Sequence, residues 1–244
     1  MNPVSSSPSR ADARATAASE AAFAPEPSLR SGQLRFKRLV DLVGASLSLI
    51  VAAPLMLLVA AAVKLDSRGP VLFRQERIGA GGRRFRLLKF RTMYDGVSDA
   101  AHRRFVTQML QGDETQAAQV GRDGKPAFKL VNDRRITRVG SWLRRGSLDE
   151  LPQLFNVLRG EMSLVGPRPP VAYELEQYER WQFHRLEVRP GMTGLWQVSG
   201  RSRLSYRQMC ALDLEYIREW SPWLDLKILC KTIPVVLSNS GGAH

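Results

Sequence analysis

This chain of 244 residues is short of several things. It has two cysteines, Cys210 and Cys230, and three histidines, His102, His184 and His244. That rules out a disulfide framework and argues against a Cys/His zinc site. No G-x-x-x-x-G-K-[ST] run is present, which excludes a P-loop NTPase. Nor is there an Asp-x-Asp, the metal motif familiar in many nucleotide-sugar glycosyltransferases. Acidic charge is scarce: 23 Asp and Glu face 36 Lys and Arg, a net charge of +13. The excess points to an anionic partner, whether nucleic acid, an acidic membrane surface or a phosphorylated substrate, and does not choose among them. No internal repeat is visible, and the length suits one domain of ordinary size with extensions.

Residues 1–34 are rich in Ala, Ser, Pro and Arg, with a scattered Phe23 and Leu29. Such a stretch buries too little apolar surface to offset its ordering entropy and reads as a disordered tail. A signal peptide is a poor reading, because the first apolar run begins only near residue 39. That run, Leu39 to Val63, has one charge, Asp41, followed by 22 uncharged residues. A helix of that length reaches about 33 Å, enough to cross a bilayer core. Two readings stay open. One is a single span. The other is a re-entrant hairpin broken at Ala53-Pro54, where Pro54 removes a backbone hydrogen bond. Both flanks are basic (Arg35, Lys37 and Arg38 before, Lys64 and Arg68 after), which favours keeping both ends on the cytoplasmic side.

Pro70 to Met93 reads as two strands about a Gly79-Ala80-Gly81-Gly82 turn. Val71, Phe73 and Gln75 alternate with Leu72 and Arg74, and residues 85–91 form the second strand. Residues 74–91 hold seven Arg and Lys against one Glu. This is either a solvated edge that blocks aggregation or a contact for lipid headgroups. Residues 94–132 are polar and irregular, with a helix expected over 99–111.

The chemistry concentrates between Arg134 and Pro170. Ile136, Val139, Gly140 and Leu143 fall at helical spacing among Arg134, Arg135, Arg138, Arg144 and Arg145, and Gly146 ends the pattern. Ser147-Leu148-Asp149-Glu150 then reads as a helix start, with Ser147 as N-cap and Glu150 as its capping-box partner. Leu148, Leu151, Leu154, Phe155 and Leu158 are expected to form the buried face, with Asp149, Gln153 and Asn156 turned away. Pro152 stands slightly late for a helical proline, so an irregular first turn is expected.

The acid pair has two readings. Glu150 is a cap and Asp149 a first-turn acid favoured by the helix dipole. Alternatively, Asp149 is a carboxylate held ionised for attack on phosphorus, beside a second that holds Mg²⁺. Nearby arginines would then neutralise the phosphate oxygens.

Two stiff loops follow. Residues 163–170 fix Arg168 among three prolines and a glycine, and residues 189–201 are glycine-rich and end in Arg201. Each is a plain tight turn or a rigid guanidinium for bidentate phosphate recognition. Trp196 reads as core ahead of a platform for base stacking. A helix with the stripe Tyr206, Met209, Cys210, Tyr216 and Ile217 runs to Ser221-Pro222. Residues 223–237, mostly apolar with Lys227 and Lys231 at i,i+4, are an interfacial helix with Trp220 and Trp223 as headgroup anchors, or a core helix with snorkelling lysines.

Several fragments stand in order along the chain: Phe36-Lys37-Arg38 with Asp41, Ala53-Pro54, Lys89-Phe90-Arg91-Thr92-Met93, and Leu143-Arg144-Arg145 with residues 147–156. Val165-Gly166-Pro167-Arg168-Pro169, Arg189-Pro190-Gly191 with Trp196-Gln197, and Leu212-Asp213 with Tyr216 complete the set. From Phe36 to the C-terminus this pattern resembles the bacterial sugar transferase family, the monotopic polyprenyl-phosphate hexose-1-phosphate transferases. It looks like the short exopolysaccharide type, without the extra N-terminal membrane helices of longer members.

The resemblance implies an α+β, predominantly helical, monotopic membrane protein with a small β-hairpin and interfacial amphipathic helices. Its parts would be a tail over 1–34, a re-entrant (Pro-broken) membrane helix over 35–66 and a cytoplasmic phosphoglycosyl transferase domain over 67–244. The implied reaction moves a hexose-1-phosphate, galactose or glucose in type, from a UDP-sugar to polyprenyl (undecaprenyl) phosphate. It passes through a phospho-aspartate on Asp149, releases UMP and primes exopolysaccharide synthesis at the cytoplasmic face of the bacterial inner membrane. Glu150, with Asp149, would hold Mg²⁺. Arg145 and Arg168, then Lys89, Arg91 and Arg201, are the implied binders of substrate phosphates. The implied partners are the UDP-sugar, the polyprenyl phosphate and inner-membrane lipid, with no nucleic acid; self-association stays open. One departure stands out. Many members carry Ser before the proline of the membrane helix, whereas this chain has Ala53, so Pro54 and packing must make the break.

Two other classes compete. A membrane-tethered basic protein binding anionic lipid or nucleic acid without catalysis explains the charge and the apolar segment. It does not explain the acid pair or the stiff loops around single arginines. A conventional glycosyltransferase moving sugar without its phosphate differs in its nucleotide product, UDP instead of UMP.

Overall fold

The computed structural model describes residues 31–96, 119–120, 126–127, 135–200 and 204–237. The expected helix over 99–111, Arg201 and most of the tail lie outside them. Helix α1 (Ser31–Asp66, 36 residues) contains the long apolar run. It continues without interruption through Pro54. The break expected at Ala53-Pro54 is therefore a proline inside one continuous helix, where the missing N–H leaves the Ile50 carbonyl without its usual partner.

Both ends of α1 are held by the same body. Near its start, Lys37 Nζ pairs with Asp225 at 2.6 Å. Arg38 donates to the Val157 and Leu158 carbonyls at 2.6 and 3.0 Å. Asp41 Oδ1 accepts from Ser163 Oγ at 2.9 Å and from the Leu164 amide at 3.0 Å. Near its end, Val59 and Val63 pack with Phe90 and Leu143, and Asp66 accepts from the Val139 amide at 3.1 Å. The opposite face, including Val43, Leu47, Ile50, Val51, Leu57 and Leu58, is exposed.

The expected hairpin forms from β1 (Leu72–Ile78) and β2 (Arg84–Phe90), antiparallel, with Leu72 opposite Phe90 and Ile78 opposite Arg84. A second small pair, β3 (Gln119–Val120) and β4 (Pro126–Ala127), is also antiparallel. Helix α2 (Arg138–Arg145) starts at Thr137, whose side chain accepts from the Gly140 amide. Gly140 has no room for a side chain, since a Cβ there would stand 2.1 Å from the Thr92 carbonyl oxygen.

Helix α3 (Gln153–Arg159) is buried on more than one side. Leu154 and Val157 join Ala45, Phe85, Leu87 and Met162 in one core cluster. The expected outward face of Asp149, Gln153 and Asn156 is corrected, because all three are buried. Asn156 behaves like an extra strand beside β2. Its Oδ1 accepts from the Leu88 amide at 3.0 Å and its Nδ2 donates to the Arg86 carbonyl at 2.8 Å. Phe155, expected inside, is instead exposed.

The two stiff loops lie side by side. Strand β5 (Ser163–Val165) pairs in parallel with β6 (Gly191–Thr193). Gly166 and Gly191 make this possible: a Cβ on Gly191 would fall 2.1 Å from the Gly166 nitrogen. Short helices α4 (Ala172–Leu175) and α5 (Leu195–Ser199) and a 3₁₀ segment, Arg180–Glu187, link the loops to α6 (Tyr206–Arg218) and α7 (Pro222–Leu237). The largest core cluster gathers Val165, Trp181, Tyr206, Leu214, Ile217 and Ile228, among others. Trp220 is corrected from headgroup anchor to core, since it is buried and donates Nε1 to Asp225 at 3.2 Å. Trp223, Leu226 and Ile233 are exposed on α7, with Lys227 and Lys231 beside them.

Candidate active site

The site begins with a turn that the proline forces. Pro152 has no N–H to give the Leu148 carbonyl, so an α-helix cannot start at Ser147 and run on. The chain closes instead as a 3₁₀ turn over Leu148–Glu150, with the Leu151 amide donating to the Leu148 carbonyl at 3.3 Å. The expected capping box is thereby corrected. Ser147 sits at φ 51°, left-handed, and its side chain caps nothing. Holding a serine there costs about 1–3 kcal/mol.

This turn carries Asp149 inward. Asp149 is 4% exposed, and its Oδ1 is buried without a hydrogen-bond partner among the described residues. Burial pushes its carboxyl above the usual carboxylate range; Lys89 pulls it down, Glu150 pushes it up further and Arg144 pulls it down. The cations do not overcome the burial. Ionisation of Asp149 therefore leans on Lys89 and Arg144, with a smaller contribution from its own backbone amide.

Glu150 is held by Lys89, Nζ to Oε1 at 2.7 Å. Lys89 comes from β2, so the hairpin and the acid pair meet at this contact. Arg144 leaves the last turn of α2 and donates Nε to Thr92 Oγ1 at 2.9 Å. Arg145, one residue on, is exposed and donates back to the Ser141 carbonyl at 3.3 Å. Arg91 is buried and serves the end of α1, donating Nη2 to the Ser67 carbonyl at 2.6 Å and to Ser67 Oγ at 2.9 Å.

Arg168 extends from the loop after β5 to Glu174, with Nη1 at 3.2 and 3.3 Å from its two oxygens. Burial works against the Arg168 charge, but Glu174, with Tyr206, more than compensates and raises its pKa. Between the two halves stands Arg77 of β1, buried, and close enough to Arg168, Glu174 and Glu150 to feel all three charges.

The structure thus brings Lys89, Asp149 and Glu150 together and joins Arg168 to them through Arg77. Arg144, Arg77 and Glu174 were not singled out from sequence. For Arg77 a signal existed, since it continues the alternation Val71, Phe73, Gln75. No group of three His, Cys, Asp or Glu converges among the described residues. Yet Asp149, with one orphaned oxygen, beside Glu150 offers the hard donors Mg²⁺ accepts when substrate phosphates complete its shell.

The sequence profile of the bacterial sugar transferase family matches residues 32–239. The exopolysaccharide production protein ExoY of Rhizobium meliloti is 44% identical over 205 residues, covering 84% of this chain and 87% of that protein. The UDP-glucose:undecaprenyl-phosphate glucose-1-phosphate transferase of Caulobacter vibrioides is 43% identical over 214 residues, covering 83% of this chain and 70% of that one. The undecaprenyl-phosphate galactose phosphotransferase of Salmonella typhimurium is 44% identical over 205 residues, 84% of this chain but 41% of its own length. The chain spans about two fifths of the longer curated relatives it matches. With the profile running from the start of α1 to the end of α7, the chain belongs to the bacterial sugar transferase family.

Proposed function

We propose that this chain transfers a hexose-1-phosphate, galactose or glucose in type, from a UDP-sugar to polyprenyl phosphate and so primes exopolysaccharide synthesis. The observation that carries the reading is Asp149, a buried carboxylate with one oxygen unbonded, faced by Lys89 and Arg144 and flanked by Glu150. The two cations offset the cost of bringing a carboxylate to an anionic phosphate.

In the first step a carboxylate oxygen of Asp149 attacks the sugar-linked phosphorus. A bond from Asp149 to phosphorus forms, the bond to the UMP oxygen breaks, and UMP leaves with the electron pair. In the second, an oxygen of polyprenyl phosphate attacks the same phosphorus. Asp149 leaves as the free carboxylate, and polyprenyl-diphosphate-sugar is formed. Glu150 and Asp149 would hold Mg²⁺, whose chemistry there is neutralisation of phosphate oxygens. Arg168 binds donor phosphate from the far side of Arg77. The names of the Caulobacter and Salmonella relatives, with their glucose, galactose and undecaprenyl phosphate, support these substrates.

The setting is the cytoplasmic face of the inner membrane. Support for a re-entrant α1 comes from its two ends, both pinned to one body while an apolar face between them stays exposed. Trp223, Leu226 and Ile233, with Lys227 and Lys231, suit α7 to the same interface. The test supplies the detergent-solubilised chain with Mg²⁺, polyprenyl phosphate and a panel of UDP-sugars, and measures UMP and UDP. UMP that disappears in Asp149→Asn supports the reading. UDP in its place moves the protein to ordinary glycosyl transfer, and folded protein that yields neither overturns the assignment.

A further inference from the structure

The loop that carries Arg168 is held in a way its own sequence does not require. Pro167, Pro169 and Pro170 have no N–H to donate, so the loop's carbonyls are its main backbone handles. Four consecutive ones are taken, the first being the Pro167 carbonyl, which accepts from the Gly191 amide at 2.8 Å. The Arg168 carbonyl accepts from Arg185 Nη2 at 3.2 Å, the Pro169 carbonyl from Arg77 Nη1 at 2.9 Å, and the Pro170 carbonyl from the Ile78 amide at 2.9 Å.

Arg185 is buried with a carboxylate in contact, Asp213, at 2.7 Å. Arg77 is not so favoured. It is buried, its hydrogen bonds go to neutral oxygens, and it has no ion-pair partner among the described residues. Burial first, and the neighbouring Arg168 second, bring its pKa down to about 10. A guanidinium taken out of water with one carbonyl, one side-chain amide oxygen and no carboxylate in contact among the described residues is a costly way to stiffen a turn that prolines already stiffen. The expense makes sense if the position of that carbonyl matters.

We propose that Arg77 is a positioning residue for the sugar-nucleotide site: it fixes the Pro169 carbonyl so that the adjacent Arg168 guanidinium, anchored by Glu174, faces the donor diphosphate. Arg77 touches no substrate and acts through Arg168. Because β1 is paired with β2, it also sets Arg168 relative to Lys89 and the acid pair. Gln75 braces it, with Oε1 accepting from Nε at 3.1 Å and Nη2 at 2.7 Å. The inference rests on the reading of Arg168 as a ligand of the donor phosphates.

The test is a double-mutant cycle on the full chain, with UDP-galactose and UDP-glucose as donors and sugar transfer to polyprenyl phosphate as readout. Arg168→Ala should raise the donor KM about tenfold or more, the scale of a lost charge-assisted bond. Arg77→Gln should raise the donor KM by a similar factor and leave the KM for polyprenyl phosphate unchanged. The double variant should be no worse than Arg168→Ala alone. Arg77→Lys and Gln75→Leu should fall between wild type and Arg77→Gln, and they carry the same comparison if Arg77→Gln fails to fold by its melting temperature. Effects that multiply in the double variant, or an unchanged donor KM in the folded Arg77 variants, overturn the positioning role while leaving Arg168 as a donor ligand. An unchanged donor KM in Arg168→Ala overturns both, because Arg77 would then have nothing to position.

Discussion

Asp149 and Glu174 are buried to nearly the same degree, 4% and 1% exposed, and their carboxyls are displaced in opposite directions. Burial raises both. At Glu174 the nearby cations Arg168, Arg77 and Arg185 overcome burial and hold the carboxyl below its ordinary range. Arg168 touches both of its oxygens and Tyr206 donates to one of them at 3.3 Å. At Asp149 the cations Lys89 and Arg144 are turned to other partners, Glu150 and Thr92, and do not overcome burial. Contact, and not depth, separates them. One carboxylate is saturated and serves as an anchor. The other keeps, among the described residues, an oxygen without a hydrogen-bond partner on a strained turn, which suits the proposed nucleophile.

The largest expected effect tests that division directly. Asp149→Asn should lower transfer by about a thousandfold or more, as loss of a nucleophile does. The same variant should melt no lower than wild type. Because the folded-state pKa of Asp149 is raised, the folded chain binds more protons than the unfolded one between the ordinary and the raised value, and stability falls as pH climbs through that window. Asn escapes the loss, so its melting advantage should be larger near neutral pH than near about pH 4. Glu174→Gln should do the reverse. It leaves Arg168 without its counterion and should cost about 3–5 kcal/mol in denaturant unfolding at neutral pH. The folded-state pKa of Glu174 is lowered, so its stabilisation is complete above the ordinary range and fades as pH falls through the folded value. The gap to wild type should therefore close on acidification. Equal stability losses in the two variants would break the comparison.

What the sequence made legible was whatever is local. The hairpin, the helix around Gly140 and Leu143, the long apolar helix and the stiffness of the Arg168 loop all follow from periodicity and turn residues. The parallel pairing of Ser163–Val165 with Gly191–Thr193 joins two short strands far apart in the chain, and its only local trace is the glycines that permit the close approach. Lys89, Asp149, Glu150 and Arg168 stand in dense motifs that mark them in the sequence. Their surroundings were harder. Pro152 converted the expected capped helix into a 3₁₀ turn and put Asp149 inside. One residue of helix separates Arg144, turned to Thr92, from exposed Arg145, and sequence favoured the latter. Glu174 and Glu176 look alike in the chain, and only tertiary contact makes the first buried and the second exposed.

A smaller effect sharpens the account of Asp149. Lys89 lowers the Asp149 pKa, so Lys89→Met should raise it further and move the acid limb of the kcat–pH profile to higher pH. Activity at neutral pH should drop about tenfold, equivalent to roughly 1.4 kcal/mol. An acid limb that stays in place would mean that the field of Lys89 is not what keeps Asp149 ionised.

The smallest effect comes from a third carboxylate. Glu76 pairs with Arg84 at 2.8 Å on the exposed side of the hairpin, a bond nearly as short as the 2.7 Å one between Lys89 and Glu150. Its surroundings differ, for the Glu76 and Arg84 side chains are 56% and 68% exposed. Water screens the pair, and both side chains lose rotamer freedom to make it, so the net stabilisation is small. Glu76→Gln should change unfolding stability by less than about 0.5 kcal/mol and leave transfer unaltered. If it cost as much as Glu174→Gln, distance alone would govern these ion pairs, and the saturated contact would not explain why Glu174 anchors an arginine while Asp149 stays available for chemistry.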